Sequence, residues 1–163
     1  MYQIVGARGK IDNKERFIEQ VKRLCKKYDI EIQVLNASFV CGKEHLVSAV
    51  EHALRAFKRG ENRAESLANE LLLYASGERQ IKTALEKVGI KNCDVQIAVV
   101  IIGECRVGEL LNDLKLERDD SVLEWSKEAL RLFGVGDDEI KAVDECRIQD
   151  LILERVALVD LHK

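Results

Sequence analysis

Residues 95–102 read VQIAVVII, and this segment restricts the possible folds more than any other part of the chain. Its β-branched residues favour a strand, and Gly103 ends the run. From Ile97 onward every residue is apolar, which predicts a central strand covered on both faces. A chain with such a strand needs a sheet with other layers packed against it.

Two further segments have the pattern of strands. Residues 2–5 form a short apolar run that is followed by Gly6 and Gly9, and residues 30–34 alternate apolar and polar side chains. The first pattern predicts a strand that ends in a tight turn. The second predicts a strand with one buried face.

The other segments have helical periodicity, with apolar residues at steps of three and four. Before the central strand the predicted helices cover 13–28, 46–57, 64–75 and 81–88. Asn13 is placed to cap the first helix, whose other face carries Lys, Arg and Glu. After the central strand the predicted helices cover 110–116, 122–133 and a last helix that starts near Asp137 or Asp138. We therefore expect an α/β fold, with α+β as the alternative, built as a single mixed β-sheet with helices packed on it and a helical C-terminal third.

Composition restricts the class of protein further. A length of 163 residues with 47% apolar and 34% charged side chains predicts one globular domain over residues 1–163. No stretch approaches the roughly 20 apolar residues of a membrane helix, and the first residues do not form a signal peptide. We expect a cytoplasmic protein with no membrane contact. The five cysteines never occur as Cys-x-x-Cys, which indicates reduced and mostly packed thiols: Cys25, Cys41, Cys93, Cys105 and Cys146.

The last helix is more apolar than docking on a single core requires. From Ile148 to Leu161 few polar residues interrupt the apolar ones, whereas one apolar stripe of about 100° is enough to pack a helix on its own domain. This pattern predicts burial on two sides. The second side is covered by the chain itself or by a partner, and the terminal position favours a partner.

A phosphate-binding turn is an alternative source of function. Gly6 to Lys10 follow the first strand and precede a helix, where backbone amides, a lysine and the helix dipole would attract an anion. The glycines are three residues apart and Ile11 follows Lys10, so the Walker pattern is not met. A plain turn is the favoured interpretation.

Metal ligands and catalytic groups do not form a recognisable pattern. His45 and His52 are seven residues apart, about 10 Å along one helix, so one ion cannot bridge them, and His162 is remote in sequence. Cys41 and His45 have ligand spacing, but no further ligands are evident. The acidic pairs precede predicted helices and are interpreted as caps: Asp119 with Asp120, and Asp137 with Asp138. We expect no metal, no cofactor and no enzymatic activity.

Basic residues are concentrated in the middle of the chain. They form either a local basic patch or a solvated helix face of alternating charge, and the pattern leaves both open. The residues are Lys43, Arg55, Lys58, Arg59, Arg63, Arg79 and Lys82.

Residues 70–81 read ELLLYASGERQI, of which YASGERQI at 74–81 is the most specific part. Four other segments are IVGARG at 4–9, VLNA at 34–37, EHL at 44–46 and ERVAL at 154–158. Together these segments resemble, over nearly the whole chain, the small kinase-binding subunit of the KEOPS complex in its archaeal form, the counterpart of the eukaryotic PRPK-binding protein.

The resemblance implies a non-enzymatic subunit that binds the N-lobe of a small atypical kinase/ATPase. The complex makes threonylcarbamoyl-adenosine in tRNA, so the threonylcarbamoyl-transferase subunit would be an indirect partner. The family is also associated with holding the tRNA 3' CCA end. On this basis the kinase-binding residues would be Ile148, Leu151, Ile152, Arg155, Val156 and Val159. The tRNA-binding residues would be Ser76, Arg79, Gln80 and Ile81, with Lys43 and His45 as a second set.

Two hypotheses about function remain at this point. The first is an interaction subunit that binds the kinase through its last helix and the tRNA end through a local basic patch. The second is a small phosphate- or nucleotide-binding enzyme that uses the turn from Gly6 to Lys10.

Overall fold

The computed structural model describes residues 1–93, 96–144 and 147–161. The chain divides into two compact units. The first consists of Met1–Ser38 and Gly89–Leu123, and the second of Phe39–Val88 and Glu124–Lys163. The single domain expected over residues 1–163 stays a prediction.

The chain alternates strands and helices in its first part and is helical in its last part. The strands are β1 (Tyr2–Arg8), β2 (Glu31–Asn36), β3 (Gln96–Ile102) and β4 (Glu117–Arg118). The helices are α1 (Lys14–Tyr28), α2 (Lys43–Arg59), α3 (Leu67–Ser76), α4 (Ile81–Val88), α5 (Val107–Asp113), α6 (Lys127–Leu132), α7 (Asp137–Ala142) and α8 (Ile148–Leu161). Short 3₁₀ turns cover Ala37–Phe39 and Asp120–Leu123.

The first unit contains the sheet, whose strand order is β2-β3-β1-β4. Strand β3 lies between β1 and β2 and runs antiparallel to both, with Val99 opposite Val5 on one side and Val34 on the other. The predicted central strand is confirmed, because Ile97 to Ile101 are fully buried. The single sheet of an α/β fold is also confirmed, but its described pairings are all antiparallel rather than mixed. Val95 lies outside the described residues.

Helices α1 and α5 cover one face of this sheet. Phe17, Val21 and Leu24 of α1 form one core cluster with sheet residues and with Leu110 of α5. The predicted cap is confirmed, since Asn13 Oδ1 accepts a hydrogen bond from the backbone N–H of Arg16 at 3.1 Å. The two-residue strand β4 was not predicted, because two exposed residues have no periodicity to detect.

The second unit is a group of helices around α3. Leu71, Leu72 and Tyr74 are fully buried, and α8 packs on both α2 and α3. The prediction of one last helix from Asp137 or Asp138 is wrong in its extent. Extended backbone at Val143 ends α7, and α8 begins separately at Ile148.

The predicted helix over 122–133 is also shorter than expected. Ser126 has extended backbone and caps α6 through a hydrogen bond from the N–H of Ala129 at 3.0 Å. The chain before Ser126 forms a 3₁₀ turn instead. Within the described residues, the structure has no helix long and apolar enough to cross a bilayer.

Candidate functional site

The segment between α3 and α4 is a tight, internally bonded turn. Gly77 adopts φ 73°, and its N–H donates to the carbonyl oxygen of Leu73 at 3.0 Å. Ser76 is fully buried; its hydroxyl donates to the same carbonyl at 3.1 Å and accepts from the N–H of Glu78 at 3.2 Å. A left-handed glycine cap of this kind fixes the direction in which the chain leaves the helix.

His45 joins the beginning of α2 to the end of α3. Its Nδ1 accepts from the N–H of Cys41 at 3.1 Å, so Nε2 carries the hydrogen and donates to the carbonyl oxygen of Ala75 at 2.8 Å. Burial, reinforced by the nearby Lys87 cation, lowers the pKa of His45 to about 4. Burial also raises the pKa of the Cys41 thiol to about 12. Both groups are therefore neutral and structural at physiological pH.

Lys87 and Phe133 complete the support beneath the turn. The Lys87 ammonium donates to the carbonyl oxygen of Ser76 at 2.9 Å, lies 3.5 Å from the Glu78 carboxylate and sits 4.9 Å from the centre of the Phe133 ring. The same ring makes an edge contact with His45 at 5.0 Å. Neither residue can be assigned this role from the sequence, because a lysine in the last turn of a helix and a single phenylalanine carry no signal of it.

The residues predicted to contact tRNA divide into two groups. Lys43, Arg79 and Gln80 are exposed, and Ile81 is half-buried at the first position of α4. Ser76 and His45 are buried under the turn and cannot touch a ligand directly. The His45 bond joins the first turn of α2, which contains Lys43, to the last turn of α3, after which Arg79 follows.

Helix α8 turns most of its predicted kinase-binding residues inward. Ile148, Ile152, Val156 and Val159 are at most 4% exposed and form the face that packs on α2 and α3. These four side chains belong to the core of the second unit.

The outer face of α8 carries a different apolar strip. Leu158 is 38% exposed and Leu161 is 77% exposed, while Leu151 is half-buried nearby on the same face. Arg155 borders this strip, and its guanidinium contacts the Glu139 carboxylate at 3.0 Å and the carbonyl oxygen of Gly134 at 3.2 Å. We call Leu151, Leu158 and Leu161 the outer strip of α8.

The carboxyl end of α8 is anchored by a polar cluster. The Tyr74 hydroxyl donates to one carboxylate oxygen of Asp160, and His52 Nδ1 lies 2.9 Å from the other. The His52 and Tyr74 rings stack with their centres 5.2 Å apart. Helices α2, α3 and α8 are thereby joined at one point, which fixes the helix end that carries Leu158 and Leu161.

The segment from Gly6 to Lys10 does not form the predicted turn at Gly6. Strand β1 continues to Arg8, and the Gly6 N–H donates to the Asp120 carboxylate at 2.9 Å. An added Cβ at Gly6 would lie 2.5 Å from the carbonyl oxygen of Asp119. Because Gly6 has no Cβ, the backbone at Asp119 can approach it closely. The Asp120 carboxylate accepts the Gly6 N–H that a phosphate would need.

Ionic contacts around Asp119 also hold this segment against β1. Arg8 pairs with Asp119, whose pKa is lowered to about 2 by the Ser121 hydroxyl and then by the Arg8 guanidinium. Lys10 lies on the surface, 3.7 Å from Asp12. Ion pairs and backbone hydrogen bonds in this region therefore hold residues 119–120 against β1. Cys146 and His162 lie outside the described residues, and the part of the chain that the structure describes contains no cluster of three or more metal-ligating side chains.

The second unit exposes the outer strip of α8 and the turn that carries Arg79 and Gln80. Residues 9–160 match the family described as Kinase binding protein CGI-121. The chain is also similar to Regulatory protein Cgi121 of Methanocaldococcus jannaschii, with 31% identity over 134 residues, covering 82% of this chain and 86% of that protein. The chain belongs to the CGI-121 family of kinase-binding proteins.

Proposed function

We propose that this chain is a non-enzymatic cytoplasmic subunit of a KEOPS complex. It binds the small atypical kinase/ATPase of that complex and helps to recruit the 3' CCA end of tRNA for threonylcarbamoyl-adenosine modification. The threonylcarbamoyl-transferase subunit is then an indirect partner. The observation that carries the proposal is membership of a kinase-binding family over residues 9–160, in a chain whose terminal helix exposes leucines.

The kinase surface is proposed on the outer strip of α8. Of the residues first expected there, Leu151 is part of this strip and Arg155 borders it. The other four are buried and support the strip from the core: Ile148, Ile152, Val156 and Val159. Leu158 and Leu161 replace them as contacts because covering an exposed leucine removes apolar surface from water.

The test is sedimentation of the chain mixed with the kinase, using Leu158→Glu and the control Leu85→Glu. Leu85 of α4 is 49% exposed, so the two substitutions place the same charge at similarly exposed leucines. We expect one-to-one binding that Leu158→Glu weakens more than ten-fold, about 1.4 kcal/mol, and that Leu85→Glu leaves intact. Full binding by folded Leu158→Glu would place the interface elsewhere.

The tRNA end is proposed to contact the exposed turn. Arg79 supplies charge to a phosphate, Gln80 can pair with a base edge, and Ile81 offers apolar contact to an unstacked base. Lys43 adds a second cation. Ser76 and His45 act by holding the turn and the first turn of α2 in place.

This part is tested with intact tRNA and with the same tRNA lacking its CCA end. We expect trimming and Arg79→Glu each to weaken binding, and their effects to overlap because they remove the same contact. The control Lys127→Glu places a charge at an exposed residue of α6 and should bind normally. Equal affinity for intact and trimmed tRNA would refute the site.

A further inference from the structure

Helix α1 exposes a dense group of cations. Six of its residues are basic and two are acidic, a net charge of +4, in a chain whose net charge is −3. Both acidic residues, Glu15 and Glu19, lie in its first half. The exposed basic residues on its outer face, here called the α1 strip, are Arg16, Lys22, Arg23, Lys26 and Lys27.

The fold fixes the direction of this strip. Phe17, Val21 and Leu24 anchor α1 in the core, so the opposite face of the helix points to solvent. Lys22 and Lys26 are one turn apart, as are Arg23 and Lys27, which makes two parallel rows of cations with a rise of about 6 Å in each.

Intramolecular pairing does not account for most of these charges. Lys27 lies 3.7 Å from Asp113 and over the Tyr28 ring at 5.0 Å. Among the described residues, the side chains of Lys22, Arg23 and Lys26 have no hydrogen bond or ion pair. The helix dipole favours cations in the last turn, which covers Lys26 and Lys27 but not Lys22 or Arg23. Four like charges this close repel one another, so an anionic partner would relieve that repulsion.

We propose that the α1 strip binds the phosphate backbone of structured RNA, as a second contact separate from the turn at Arg79. This inference rests on the proposed function, in which tRNA is the ligand. Two rows of cations on a rigid helix suit a polyanion with regularly repeated charges, and contacts of this kind add affinity without reading sequence.

An anionic membrane surface fits the strip less well. Helices that bind bilayers insert an apolar face, whereas the apolar face of α1 is occupied by the core of the first unit. The outer face presents charged side chains and no aromatic anchor. Binding through the outer face would be purely electrostatic, as is the binding of proteins to the phosphate backbone of a nucleic acid.

The test measures the affinity of the full chain for tRNA over a series of salt concentrations, for wild type, K22E/K26E and the control K127E/K141E. Both double variants change the net charge equally, and all four lysines are exposed. We expect K22E/K26E to lower affinity at least ten-fold at low salt. The slope of log affinity against log salt should decrease by about 1.4 to 1.8, since each neutralised phosphate contributes about 0.7 to 0.9. The control should keep the wild-type slope.

Tests on trimmed tRNA separate this inference from the proposed function. The α1 contact predicts that K22E/K26E weakens binding of intact and CCA-trimmed tRNA by the same factor. If trimming has no effect but K22E/K26E does, the site at Arg79 fails and the strip stands. An unchanged salt slope in folded K22E/K26E, an equal loss in the control, or stronger binding of polyglutamate than of tRNA would overturn the inference.

Discussion

The Nε2–H of His45 donates to the carbonyl oxygen of Ala75 across 2.8 Å, and this bond joins the first turn of α2 to the last turn of α3. The ring is 1% exposed, and its other nitrogen accepts from Cys41. A protonated imidazole could not accept that second bond, and its charge would be buried. The link therefore requires neutral His45.

This requirement predicts a pH-dependent stability. The pKa of His45 is about 4 in the folded chain, below the ordinary value of 6.5, so the unfolded chain binds the proton first as pH falls. The stabilisation is complete above pH 6.5 and is lost progressively between pH 6.5 and pH 4. We expect a loss of about 3 kcal/mol in the free energy of unfolding over that window, measured by urea denaturation.

His45→Gln is the matched control for this effect. The glutamine amide can still donate to Ala75 but does not titrate. Carboxylates titrate equally in both proteins, so the difference between the two pH profiles isolates His45. The expected result is a flatter profile between pH 6.5 and pH 4 for His45→Gln. Parallel profiles would mean that the imidazole can be protonated in the folded state.

The sequence predicts elements whose pattern is local. Strand β3 follows from its β-branched run, and α1 follows from its periodicity and from Asn13. The roles of individual residues on α8 do not follow in this way, because apolar side chains occur on nearly every turn. Packing on α2 and α3 selects the face of Ile152 as core, and that choice depends on distant segments.

The candidate site likewise combines a local pattern with distant contacts. The turn at Gly77 can be predicted from the sequence, because a glycine after a helix favours a left-handed cap. Burial of Ser76 and His45 is set by Lys87 and Phe133, which approach from other parts of the chain. The motif could therefore be located from the sequence, but the sequence could not separate its supporting residues from its exposed ones.

Substitutions of Ile152 and of Leu158 should differ in how much they change the stability of the chain. Ile152 is fully buried, so Ile152→Ala should lower the free energy of unfolding by about 2 to 5 kcal/mol. Leu158 is 38% exposed, so Leu158→Ala should change it by less than about 0.5 kcal/mol. Thermal and urea denaturation measure both values. A large loss for Leu158→Ala would show that the outer strip belongs to the core.

Gly6 and Gly108 form a second matched pair. A Cβ at Gly6 would lie 2.6 Å from Val122 Cγ2 as well as against the Asp119 backbone, whereas a Cβ at Gly108 in α5 meets open space. Gly6→Ala should destabilise the chain by about 1 to 3 kcal/mol, because the neighbouring segment must shift. Gly108→Ala should stabilise it by about 0.5 to 1 kcal/mol through helix propensity. Urea denaturation of each variant gives the sign. No change in stability for Gly6→Ala would mean that close packing against Asp119 and Val122 does not require a glycine at this position.

The link between Tyr74 and Asp160 should be measurable as a coupling energy. Tyr74→Phe removes the hydroxyl that donates to Asp160, while His52 remains beside the other carboxylate oxygen. Because the Asp160 side chain is 47% exposed, water can replace part of the lost bond, and we expect a cost of about 1 kcal/mol. A cycle with Asp160→Ala, which removes the acceptor oxygen, tests this. If the two groups stabilise α8 together, the double variant should lose about 0.5 to 1 kcal/mol less than the sum of the single variants. Strict additivity would mean that the hydroxyl and the carboxylate contribute independently, and that no coupling between Tyr74 and Asp160 holds the end of α8.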